Sequence, residues 1–364
     1  MLHLDPGLPS VPRRAADSFD ANTAAMAGRV SQLMAGHSRL DAFLNGLPFR
    51  LIESNHRNHA AFMSEVLRTN NLKLLADTLP WAYFAYTNQG VSVDYFAAEL
   101  EIWSQVITEL LPGEDAEAIL PIYRWMLRVH PETVDAAAHY ASEAAPVPAD
   151  HAAIYVEILE RLIAGDHPAV IERCRALLRE GMSFSRLLQS IFYPAMVEIG
   201  VRWEQGRLSV LMEHQATAMV YRILSALYYE QPFPSERRGR VLVASVTDEF
   251  HELGAWMVTT CLDLDGWNVT YLPRDCPLEQ VVTAAVERTP AFVALSVGMP
   301  GHVQSARETV SALREALGPG SPTKILVGGR AFNKAPSLVE SVGADLFLTD
   351  CEAAVAWART LEAT

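Results

Sequence analysis

Three features of this 364-residue chain predict an α/β domain at its carboxyl end, preceded by two all-helical segments. From residue 240 onward the short apolar runs "VLVASV", "NVTYL", "AFVALSV", "KILVGG" and "ADLFL" alternate with helical stretches, the pattern of a doubly wound parallel five-stranded sheet. Before 240 apolar residues recur at helical spacing, with no convincing strand. Two proline-bearing breaks, "APVPAD" at 145–150 and "EQPFPSERRGR" at 230–240, set boundaries, so the expected domains are 1–148, 149–235 and 236–364.

In the first segment, "DYFAAELEIWSQVITELL" puts Phe96, Leu100, Trp103, Ile107 and Leu110 on one helix face, and Gly90 stops the helix before it. The second segment reads as an antiparallel four-helix bundle: "AIYVEILERLIAG", "HPAVIERCRALLREG", "FSRLLQSIFYPAMVEIGVRW" and "SVLMEHQATAMVYRILSALYY". Gly206 and Ser209 between the last two suggest a turn and a capped helix start. The third segment should hold its ligand at the carboxyl ends of the strands.

Half of the residues are hydrophobic and a fifth are charged, an ordinary globular composition. The formal charge of −14 argues against a nucleic-acid-binding surface, and the basic run "RRGR" at 237–240 reads as a solvated linker. Prolines and an aspartate near the amino terminus rule against a signal peptide, and no apolar run is long enough for a membrane span, so a cytoplasmic protein is expected. Cys174, Cys261, Cys276 and Cys351 are scattered and expected to be reduced.

"EFHELGA" follows the first strand where a dinucleotide domain would carry a glycine-rich turn. A loop histidine, His251, can offer one ring nitrogen to a metal while the carboxylate of Glu249 takes the proton on the other, and Gly254 leaves room where the next helix begins. Ser296 follows the third strand, and Gly328 and Gly329 follow the fourth. Over about the last 125 residues this arrangement resembles the cobalamin-binding domain family. The resemblance implies that His251 is the lower axial ligand of cobalt and that the cofactor's displaced nucleotide tail runs between sheet and helices, past the serine and the glycines. The family's serine motif continues to a leucine where this chain has Gly298; tail packing is the property this departure touches.

Trp203, nine residues, then Glu213 and His214 resembles the motif of the cobalamin-dependent photoreceptors, whose bundle caps the upper face of adenosylcobalamin. The resemblance implies a tryptophan against the adenosyl group, light-driven loss of that group, and a change in self-association. Some members carry a histidine after the tryptophan; this chain has Glu204, so a bis-histidine photoproduct through that position is not expected. Known members also carry a DNA-binding helix-turn-helix, but acidic residues outnumber basic ones in the first segment, so direct binding to nucleic acid is not expected and output would pass through self-association or a separate partner.

The aromatic first segment resembles that of the photocobilins, which pair a cobalamin domain with a bilin. The residues bearing on a bilin such as biliverdin are His56, Arg57, His59, Trp81, Tyr86 and Trp103, with Arg50 as a further cation. With no cysteine before Cys174 the pigment would be non-covalent; a haem on His56 or His59, or an ordinary helical core, are the alternatives. The expected function is therefore a light-sensing, non-enzymatic signalling protein. The alternatives are a corrinoid carrier of a methyltransferase system and a scaffold with a vestigial site.

Overall fold

A computed structural model describes residues 2, 4, 7–235 and 237–362. The chain divides into two compact units, one of residues 1–143 with Glu204–Arg207, the other of residues 144–203 with 208–364.

The first unit is helical: α1 Arg13–Ala21, α2 Thr23–Ala35, α3 Leu40–Leu44, α4 Arg50–Thr69, α5 Leu72–Asn88, α6 Val93–Leu110, α7 Gly113–Arg128 and α8 His130–Ala138. Local chemistry sets the ends. Asn71 caps α5 by accepting from Leu74 N–H at 3.0 Å, and Gly90, at φ +106, turns the chain after it. Ser92 then caps α6. Phe96, Leu100, Trp103 and Ile107 are buried as expected, whereas Leu110 is exposed because α6 ends there.

The second unit begins with the bundle: α9 Ala152–Ala164, α10 His167–Arg179, α11 Phe184–Leu187, α12 Tyr193–Glu204 and α13 Val210–Tyr229, with a π-helical turn at Leu188–Phe192 joining α11 to α12. Ser209 caps α13, accepting from Met212 N–H, and Gly206 takes a left-handed φ of +67 in the turn before it. The bundle core, including Ile158, Leu162, Ile191, Val220 and Leu224, runs on into Met257, Cys261 and Cys351, so bundle and sheet share one apolar interior.

The sheet follows as β1 Arg240–Ser245, α14 Leu253–Leu264, β2 Asn268–Leu272, α15 Leu278–Arg288, β3 Phe292–Ser296, α16 Val303–Leu317, β4 Lys324–Gly328, α17 Arg330–Lys334, α18 Leu338–Val342, β5 Leu346–Leu348 and α19 Cys351–Ala358. All pairings are parallel and the order is β2-β1-β3-β4-β5. Val241 to Ser245 are buried without alternation, as a strand covered on both faces requires. The order reverses between β1 and β3, and the crevice at such a switch point is where open α/β sheets hold ligands. Arg237 and Arg238 are fastened rather than loosely solvated: Arg237 reaches Asp263 at 2.7 Å and Arg238 donates to the Asp265 carbonyl at 2.7 Å. Among the described residues no helix is long and apolar enough to cross a membrane.

Candidate functional site

At the switch point β1 ends on Ser245, whose register partner is Ser296 on β3, itself opposite Gly328 on β4. The Ser245 hydroxyl is buried and finds no partner within the protein. The chain then turns through Asp248, a non-glycine residue at φ +65, and Glu249 folds back with its N–H on the Val246 carbonyl at 3.1 Å.

Glu249 is fully buried. Its Oε1 accepts from the His251 backbone N–H at 2.8 Å and from His251 Nδ1 at 2.7 Å. Its Oε2 accepts from the Gly298 N–H at 2.6 Å, the Met299 N–H at 3.1 Å and His302 Nδ1 at 3.0 Å. Burial alone would raise the carboxyl's pKa, but the hydrogen bonds from His251 and His302 hold it well below the usual range. The hydrogen bond to Glu249 in turn raises His251. With Nδ1 committed as donor, the imidazole turns Nε2 outward from a side chain that is 67% exposed. Among the described residues no three His, Cys, Asp or Glu converge as a metal-binding group.

The sequence missed His302 and the two backbone amides. Gly298 is also more than a change in tail packing: a Cβ there would lie 2.9 Å from His251 Cβ and 3.2 Å from both Glu249 oxygens, so a leucine would displace the pair. Gly329, at φ +107, would put a Cβ 2.3 Å from the Val297 carbonyl oxygen, and Gly328 one 2.9 Å from that of Leu348. Those two glycines serve close backbone approach between strand-end loops. Gly254 differs, since a Cβ on it would meet nothing within 4 Å; the chain itself does not demand a glycine there, and the open space beside α14 suits a bulky ligand.

In the same unit, Trp203 sits half-buried near the end of α12, and Glu213 and His214 lie in the first turn of α13. Glu213 accepts from Thr217 Oγ1 at 2.9 Å and pairs with His214, which points to solvent. The Glu213 charge also raises His251. Val210, Leu211 and Met212 in this turn, and Phe250 beside His251, are exposed, with Leu211 at 73% and Phe250 at 61%. Apolar side chains open to solvent on both elements, with a coordinating nitrogen between, suit a large ring with an apolar rim. The serine and glycine strand ends, the open space at Gly254 and the outward imidazole together fit a corrinoid.

The residues read for a bilin lie in the N-terminal unit. His56 is buried, with Nδ1 on Ser31 Oγ at 2.8 Å and Nε2 on Tyr95 Oη at 3.0 Å. His59 reaches Tyr123 Oη at 3.1 Å and leans on Trp103 with ring centroids 4.9 Å apart. Trp103 is wholly buried, Trp81 and Tyr86 are half-buried, and Arg57 is exposed.

Residues 239–356 match the B12 binding domain model, and residues 155–228 match a second model of the same description. Both the bundle and the sheet thus match models described as B12 binding domains. It is 28% identical over 272 residues to the HTH-type transcriptional repressor CarH of Myxococcus xanthus, covering 74% of this chain and 84% of that one. It is 26% identical over 210 residues to dimethylamine corrinoid protein 1 of Methanosarcina mazei, covering 56% of this chain and 94% of that protein. Among solved structures, the monomethylamine corrinoid protein of Methanosarcina barkeri aligns at 18% identity with a TM-score of 0.49, over 58% of this chain and 99% of that one.

Proposed function

We propose that this chain is a cobalamin-dependent light sensor in which His251 takes the lower position on cobalt, the α12–α13 end of the bundle covers the upper face, and a non-covalent bilin occupies the N-terminal unit. The observation that carries it is the buried Glu249 carboxylate holding His251 by its Nδ1 at 2.7 Å on an exposed loop at the sheet's switch point, in the same unit as the bundle and bordered by exposed apolar side chains. Adenosylcobalamin supplies, when bound, a cobalt–carbon bond that light breaks. The rest belongs to the protein. Glu249 fixes the His251 tautomer and keeps its Nε2 free to coordinate. Trp203 and Glu213 pack the upper ligand, and loss of that ligand removes a contact present in only one state, which is the differential interaction a switch needs. Glu204 occupies the place after Trp203, and a carboxylate is a poor replacement for an imidazole at cobalt, so the lit state forms without a second histidine from that position. Output proceeds through self-association or a separate protein partner.

The test is the full chain loaded with adenosylcobalamin and run on a sizing column in the dark and after green light. A light-dependent change in visible spectrum and elution is expected; a spectral change with unchanged elution would remove the switching claim. The similarity to a dimethylamine corrinoid protein supports a second reading, a methyl carrier. That reading expects methyl transfer from the methylcobalamin form to a partner and indifference to Trp203→Ala, whereas a light sensor loses its photoresponse in that variant.

A further inference from the structure

The N-terminal unit holds another carboxylate among histidines. Glu99 projects from α6 and is 4% exposed. Around it stand His56 on α4, Tyr83 and Tyr86 on α5, Tyr95 and Trp103 on α6, and Tyr123 on α7; the four tyrosines all feel its charge. His59 joins the same aromatic group through Trp103 and Tyr123.

The donors that meet Glu99 are all neutral. The Tyr95 hydroxyl hydrogen-bonds to it, Asn55 Nδ2 and Trp103 Nε1 each approach Oε1 at 3.4 Å, and His56 Nε2 stands 3.9 Å away. No arginine or lysine figures among the groups that act on this carboxyl. Both histidines are held neutral by burial, His56 near pKa 4 and His59 near 3, with Arg57 beside His56 adding to its shift. A carboxylate buried without a cation is costly, and it either takes up a proton or receives its positive partner from a ligand.

We propose that Glu99 is the counterion for the protonated pyrrole nitrogens of an open-chain tetrapyrrole held in this unit. The proposal rests on the bilin reading above and assigns that site its polar anchor. An open-chain tetrapyrrole carries N–H donors that can converge on one acceptor and becomes a cation on protonation. A haem fits less well. Its central nitrogens have no protons to give a carboxylate, and the hydrogen bonds of His56 and His59 to Ser31, Tyr95 and Tyr123 tie up the imidazoles that would have to reach iron.

Biliverdin added to the purified full chain tests it, compared with the same-shaped variant Glu99→Gln. In the native chain the bound pigment should stay protonated to a pH about one unit or more above the free pigment, since a nearby opposite charge favours the charged form. In Glu99→Gln the protonated band should be lost at neutral pH and affinity should fall about tenfold or more. Identical spectra and affinity in the variant overturn this proposal while leaving the bilin reading intact. No uptake by the native chain, with cobalamin binding retained, overturns both. If Glu99→Gln does not fold, the native titration decides, because a bound pigment that deprotonates at the same pH as the free one also refutes the assignment.

Discussion

Glu249 and Glu99 are both buried carboxylates near histidine, yet the fold treats them in opposite ways. Glu249 receives five hydrogen bonds, two of them from imidazoles and three from backbone amides, and stays ionised. Glu99 meets neutral donors, Tyr95, Asn55 and Trp103, and among the described residues no arginine or lysine acts on it, so burial pushes it up to about 7. The first carboxylate is finished by the protein and serves as a fixed support for His251. The second has only neutral donors and no charged partner. Burial alone does not mark a carboxylate as structural or functional; the donors it meets do.

Replacing each acid by its amide should break the symmetry between them. At Glu249 the amide nitrogen must face donors, so Glu249→Gln should cost about 3 kcal/mol or more in denaturant unfolding of the apo-protein at pH 8. At Glu99 the same change should stabilise the apo-protein at pH 8 by about 1–3 kcal/mol, because it removes a carboxylate that folding must keep buried. Destabilisation by Glu99→Gln at that pH would show that Tyr95, Asn55 and Trp103 already satisfy the acid.

The pH dependence sharpens the contrast. Glu249 has a depressed folded pKa, so its contribution is fully present above its ordinary value of 4.5 and is lost as pH falls through the folded value. Glu99 is raised from 4.5 to about 7, so folding takes up its proton and stability declines as pH rises across that window. His56 and His59, lowered from 6.5, work against this, since stability falls as pH drops below 6.5 and the unfolded chain charges them. The difference between native and Glu99→Gln stability as a function of pH isolates the carboxyl; a flat difference between pH 4.5 and 7 would refute its shift.

The smallest effect is expected at His302. His302→Ala removes one charge-assisted bond from Glu249 and should cost about 1–2 kcal/mol. In the cobalamin-loaded protein it should also weaken the His251–cobalt bond, read from the absorption spectrum across pH. A spectrum identical to that of the native chain would confine His302 to a packing role.

Much of this could be read from the sequence because the signals were local. Five strands announced themselves as apolar runs, the Ser209 cap and the Gly90 stop sat where their turns required them, and Glu249 and His251 are two residues apart. His302, Gly298 and Met299 were hidden because they reach Glu249 across 49 to 53 residues through the pairing of β1 with β3. Glu99 was missed for a different reason. Tyr95, Glu99 and Trp103 follow each other at four-residue steps on one face of α6, and a carboxylate within that aromatic stripe was the available signal, masked by the apolar positions around it.

The separation between Glu249 and its amide donors also bears on how the protein matures. A ribosome delivers the histidine loop well before it delivers residues 298–302, and the loop gains its lasting shape only after β3 docks beside β1. Such distant pairings form slowly and late. Until the sheet closes, a newly made chain therefore lacks the amides and the His302 imidazole that fix Glu249 beside His251.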